Sequence, residues 1–311
     1  MTLGRKYGML FNMNLSSRWS RINQTIWLMA ALICIAFFVF EIQLSRQALL
    51  SPPAELQTNL NRLGISLLAY INYLAVLRAL YMLVHLFIAG FIIFKSPNET
   101  FAVFVAYFLL LMGTTFWTLT PEILNQPEFW QTPRALANVF TSLSLLVFFL
   151  IFPDGRFNPR WTIPFAVIMT FFLVIENFFP QSILSPKNWQ WVYAVWLSLF
   201  TMAVMIYVPV TRYRSLTNPI TRQQTKWVIY GIASSLILFF LIALPISLGV
   251  SSEQGTLYGL FFITGSTLAF MLIPLSIGIA VTQFRLWDID PIINRTLVYG
   301  ALSFLTILFT F

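Results

Sequence analysis

Charge-free apolar runs close to twenty residues long recur along the chain, separated by short connections where Arg, Lys, Pro, Asn and Gly collect. A helix rises 1.5 Å per residue, so about 20 such residues cross the ~30 Å hydrocarbon core of a bilayer. On this pattern the sequence predicts an all-α, polytopic helical membrane protein with eight full spans. They are Ile22–Leu44, Leu74–Phe94, Phe101–Leu119, Ala135–Phe152, Thr162–Phe179, Gln190–Thr211, Lys226–Leu248 and Thr256–Gln283. A partial ninth opens at Pro291 and carries about sixteen charge-free residues after Arg295, short of the ~20 a crossing needs. That stop predicts a chain that is the front end of something longer. The second apolar region, from Gly64 to Phe94, exceeds one span, and its first ten or so residues are expected along the outer surface or projecting beyond it. The predicted organisation is an N-terminal segment 1–21, an eight-helix membrane domain 22–283, and a junction with the incomplete ninth helix over 284–311. No internal repeat or soluble domain is legible.

The basic residues set the predicted orientation. With the N-terminus in the cytoplasm, the outer segments hold only Arg46, Arg62, Arg134 and Lys187, and Arg78 lies within a span. All other Lys and Arg fall on inner segments, as the positive-inside rule requires. Trp161, Trp227 and Trp287 sit at inner edges and Trp117, Trp130, Trp189 and Trp191 at outer ones, the positions of an aromatic belt. Eight spans return the chain to the cytoplasm at Arg285. A cytoplasmic output domain therefore needs a tenth crossing beyond Phe311.

Composition agrees with this class. The chain is 59% hydrophobic and 9% charged, with a mean hydropathy of +0.81. In a soluble protein a net charge of +8 and a pI of 9.8 suggest nucleic acid. Here they record cytoplasmic loops, and the bilayer is the expected partner, with no nucleic acid. Cys34 lies in an apolar run and has no second cysteine to pair with. The first apolar run lacks a small-residue cleavage site and reads as an anchor.

Enzyme signatures are missing. One histidine, His85, provides no metal pair and no H-E-x-x-H helix. G-x-S-x-G elbows, Walker loops and paired in-span carboxylates are also absent. No metal, cofactor or catalytic residue is predicted. The candidate binding residues are the polar groups within or beside spans: Glu41, Arg78, His85 and Glu176, with Asn177 beside the last. Arg78 either meets a ligand's carboxylate in an outward-facing polar pocket, or pairs with one of the glutamates or snorkels to the headgroups. His85 lies seven residues on, two turns along the same face. It either titrates near neutral pH or hydrogen-bonds a neighbouring helix.

Three inner connections stand out. FPDGRFNPRW (152–161) contains a Pro-Asp-Gly tight turn. NPITRQQTKWVIYG (218–231) has Asn218 and Pro219 to cap and start a helix. FRLWDIDPIINRTLVYG (284–300) places Asp290 as N-cap before Pro291, and Arg285 and Arg295 can pair with Asp288 or Asp290.

In order and spacing these segments resemble a bacterial family of multi-span sensor histidine kinases and their GAF- or PAS-bearing relatives. The resemblance covers about residues 70–311. It implies that 22–283 is the membrane sensor domain of a two-component signalling protein in the bacterial inner (plasma) membrane. It also implies a homodimer, by analogy with kinases, which reaches a response regulator only through a C-terminal kinase part. The phosphoacceptor histidine and ATP lid of that part are not in this chain, and His85 is not the phosphoacceptor. Signal relay is expected through Pro274 in the eighth span and through Asp288, Asp290 and Arg295. The rival readings are a structural anchor without sensing, a transporter or channel, and a membrane-embedded lipid enzyme.

Overall fold

Hydrocarbon offers backbone N–H and C=O groups no partner, so a chain of apolar runs must satisfy them within each helix. The computed structural model describes residues 3–115, 127–247 and 249–283, and every regular element among them is helical. The helices are α1 (Leu3–Leu49), α2 (Ala54–Leu63), α3 (Leu67–Lys95), α4 (Thr100–Thr115), α5 (Glu128–Ile151), α6 (Thr162–Phe178), α7 (Trp191–Ser215), α8 (Pro219–Ser247) and α9 (Leu257–Gln283). Six of these, α1, α3, α5, α7, α8 and α9, are long and apolar enough to cross a membrane. The apolar α4 and α6 are shorter, at 16 and 17 residues. The protein is a helical membrane protein.

Several boundaries differ from the sequence pattern. Helix α1 is continuous from Leu3 through the predicted segment 1–21. From Leu67 the stretch before Leu74 continues the same helix, as the expectation of a helix projecting beyond the span has it. Ser66 accepts the Ala69 N–H at 3.2 Å and starts α3 at Leu67. The first turns of α3 then bury Tyr70, Ile71 and Leu74 against Leu49, Leu56 and Leu60. What precedes them is a separate amphipathic helix, α2, closed by Gly64 at φ 66°, whose N–H bonds back to Asn61 O. Helix α8 starts at Pro219, with Arg222 N–H bonded to Asn218 O at 3.0 Å, seven residues before the span predicted from hydropathy. Residues 116–119 of the third predicted span, Leu248, and the ninth span opening at Pro291 lie outside the described residues.

Helices α3 and α4 form the centre. Helix α1 packs on both, α9 packs on α3 and along α8, and α5 packs on α4. Their shared core holds Trp27, Tyr81, Ile92, Phe108, Met112, Phe148, Met271 and Ile277. Helices α6 and α7 form a second layer on α5, with a smaller core of Leu146, Leu150, Phe165, Met169 and Val208. Between helices surrounded by lipid, close approach rather than hydrophobicity supplies the attraction, so small residues mark the tightest crossings. A Cβ on Gly231 of α8 would stand 2.1 Å from Ser276 Cβ of α9, and one on Gly113 of α4 would stand 2.6 Å from His85 Cβ of α3.

Side-chain bonds define the two ends of the bundle. At one end Asn23 Nδ2 donates to Pro97 O at 2.7 Å, Gly155 lies against Phe101, and Arg212 reaches the 152–158 turn. Arg18, Arg21, Lys95, Arg156, Arg160, Arg214, Arg222 and Lys226 belong to this end. At the other end Asn59 of α2 donates to Gln254 O at 3.2 Å and Trp130 meets Glu41.

Candidate ligand cavity and buried polar cluster

Of the four polar residues singled out in the sequence, Glu41 and Arg78 come together toward the second end, and His85 lies deeper along α3. Glu41 of α1 and Arg78 of α3 line one small cavity with Phe38, Tyr81, Gly113 and Thr114. Glu41 is only 3% exposed. Its Oε1 accepts a 2.5 Å hydrogen bond from Trp130 Nε1, and Arg134 of α5 interacts with it electrostatically. Its Oε2 has no hydrogen bond among the described residues. Arg78 Nη1 donates to Ser45 Oγ at 3.1 Å.

His85 is fully buried, and its Nδ1 lies 2.8 Å from the Tyr81 carbonyl. A carbonyl can only accept, so Nδ1 carries a proton and donates it to Tyr81 O. The cavity beside Glu41 and Arg78 measures about 20 Å³, room for one water molecule. The cluster thus fastens α1, α3, α4 and α5 to one another, and its free space is too small for a ligand.

The fourth residue, Glu176, is elsewhere. Helices α6 and α7 each pack on α5, while their backbones stand apart and only side chains bridge them. The gap between them is a cavity of about 480 Å³, within the range of small-molecule sites. Its walls are Leu145 and Leu146 of α5, Met169 and Phe172 of α6, and Leu197, Met202 and Met205 of α7, with Ser142, Ser198 and Thr201 among them. Thr201 Oγ1 donates to Met169 Sδ at 3.3 Å across this space. The smaller core of the second layer seals the inner side.

The cavity's other end is covered by the 179–190 connection. Glu176 Oε1 and Lys187 Nζ form an ion pair there at 3.4 Å. Asn188 Nδ2 donates to Pro180 O and Ser182 O, at 2.7 and 2.8 Å. Trp189 packs edge-on against Phe172, ring centres 5.4 Å apart. Such a site accepts an apolar body that methionines can mould around, and presents one carboxylate and one ammonium to a polar head.

Sequence reasoning found Glu176 but not its cavity. A readable signal existed: Ser198, Thr201, Met202 and Met205 fall at i, i+3, i+4 and i+7, one face of α7. It also missed Arg212, which is 6% exposed at the end of α7. Its Nε donates to Asn158 O at 2.5 Å, Nη1 to Phe152 O at 2.9 Å and to Asp154 Oδ1 at 3.1 Å, and Nη2 to Arg156 O at 2.5 Å. The FPDGRF turn is therefore a socket for one guanidinium.

Of the expected relay residues, Pro274 lies within α9. Asp288, Asp290 and Arg295 lie outside the described residues. Among the described residues no group of three or more His, Cys, Asp or Glu could hold a metal. No family model, curated protein or solved structure matches the chain.

Proposed function

We propose that the chain is the membrane input module of a two-component sensor histidine kinase, with a lipophilic stimulus bound between α5, α6 and α7. The observation that carries this reading is the Met- and hydroxyl-lined cavity of about 480 Å³ under an ion-paired mouth. The module has its N-terminus in the cytoplasm of a bacterial inner membrane, with eight crossings and a ninth begun at Pro291. It works as a homodimer and reaches a response regulator through a kinase part encoded beyond Phe311.

The relay follows from how α7 is held. Arg212 pins the inner end of α7 to the α5–α6 turn, while the 179–190 connection joins its outer end to α6. Ligand entry separates α6 from α7 at the outer end and swings α7 about the Arg212 socket. Helix α7 leads through residues 216–218 into α8, which packs along α9, and α9 leads into Asp288, Asp290 and Arg295. A ligand shifts this equilibrium only by its differential affinity for the two arrangements.

The test uses the protein in proteoliposomes with a diazirine-bearing fatty alcohol as photoprobe. Labelling should map to the facing sides of α6 and α7 and be lost in Ser198→Trp, which fills the cavity. It should persist in Leu199→Trp on the exposed side. Equal labelling of both variants overturns the cavity. The signalling half is tested by the reading frame past the Phe311 codon, where a further crossing and a kinase core are expected, and a transport or metabolic domain overturns it.

A further inference from the structure

A second cavity lies apart from the one assigned to the stimulus. It lies at the basic end of the bundle, between the end of α7 and the start of α8, and measures about 610 Å³. Tyr213, Thr217, Arg222, Lys226, Trp227 and Tyr230 line it, and none of its lining residues is acidic. Arg222 and Lys226 are four residues apart and share one face of α8. The Arg222 guanidinium stands 5.3 Å from the Tyr213 ring centre, and the Lys226 ammonium 5.4 Å from that of Tyr230. Two cations are thus held in place by aromatic faces, in a groove with no carboxylate among its described lining residues.

Depth identifies the occupant. From Trp227 to Ser247 helix α8 carries no charge, a stretch of ~31 Å that matches the ~30 Å hydrocarbon core. With that stretch in hydrocarbon, Arg222 and Lys226 stand one turn apart at the level of lipid phosphates. Trp227 and Tyr230, 41% and 56% exposed, lie just inside, where acyl chains begin. We propose that this groove is a binding site for the phosphate of an anionic phospholipid headgroup, with Arg222 and Lys226 as its ligands and the aromatic rings flanking the upper acyl chain. A soluble phosphate compound would satisfy the cations and leave the aromatic rim unused. The site is independent of the α5–α6–α7 cavity and of the sensor reading.

The test takes the full chain in phosphatidylcholine nanodiscs with or without phosphatidylglycerol, and native mass spectrometry to count retained lipid. Retained phosphatidylglycerol should be strongly preferred. A charge-assisted contact with a bound phosphate is worth about tenfold, so Arg222→Gln with Lys226→Gln should cut the preference about 100-fold, while Arg222→Lys keeps most of it. The pair Arg18→Gln and Arg21→Gln removes the same charge at the same end, away from the groove, and should leave the preference nearly intact. Circular dichroism and a thermal melt check that each variant is folded. An equal loss in the Arg18/Arg21 pair reduces the effect to general surface attraction and overturns the site. No loss in the Arg222/Lys226 pair overturns it as well. Displacement of the lipid by inorganic phosphate at equal concentration overturns the lipid assignment in favour of a soluble anion.

Discussion

At the scale of single residues, Arg212 contributes most to local order. A guanidinium with its donors spread over three carbonyls and a carboxylate has no isosteric replacement. Arg212→Ala should therefore cost about 3 kcal/mol, read as a lower Tm in detergent. Arg212→Lys should recover only part of it, because one ammonium cannot span the fork; an unchanged Tm in Arg212→Ala would contradict the socket. In the sequence Arg212 is one of many inner basic residues. Its acceptors lie 54 to 60 positions earlier, and no local pattern links them to it. Glu41 was the opposite case. A carboxylate inside an apolar run is conspicuous in sequence, but its partner Trp130 reads there as an ordinary belt residue.

At the scale of elements, the α8–α9 pair depends on backbone approach. Gly231→Ala would place a methyl 2.1 Å from Ser276 Cβ and Oγ and should destabilise the protein by about 1–3 kcal/mol. Most of that strain comes from the Ser276 side chain, so Ser276→Gly added to Gly231→Ala should restore part of the loss. Thermal melts of the four combinations measure the coupling; strict additivity would mean that the two helices do not meet there.

Helix α2 carries a different signal. Glu55 hydrogen-bonds Glu253 of the α8–α9 connection, and that shared bond with the facing charge raises the Glu55 carboxyl above its ordinary 4.5. The folded state then holds its proton longer than the unfolded state does. The contact contributes its full stability below the ordinary carboxylate value, and loses it as pH rises through the raised folded one. Glu55→Gln should flatten this part of the Tm–pH curve. A Tm–pH curve identical to that of the natural sequence would exclude the pair as its source.

At the scale of the whole molecule, the uneven charge of the two ends predicts which faces the cytoplasm. In a Cys34→Ser background, Gln181→Cys and Ser252→Cys should react with a membrane-impermeant maleimide on intact cells. Glu99→Cys and Arg214→Cys should react only after permeabilisation. The reverse pattern would invert the orientation, and labelling of Gln181→Cys and Ser252→Cys from opposite sides would break the eight-crossing count. The two-layer arrangement also gives the molecule its division of roles. Helices α1, α3, α4 and α5 are tied by a buried polar cluster with almost no free space, whereas a cavity remains between α6 and α7.

Local patterns in the chain were enough for the helical membrane class, the helical content, several helix ends and the asymmetry of charge. These follow from local quantities: the transfer cost of each side chain, the rise per residue, and the capping chemistry at positions such as Asn218. Which polar residues meet was settled by packing between helices. It set Glu41 beside Arg78, joined Glu176 to Lys187, and turned the FPDGRF connection into a socket for Arg212. It also decided where the cavities lie, because a side chain facing lipid and one facing another helix are equally apolar, and hydropathy cannot separate a packed seam from a gap.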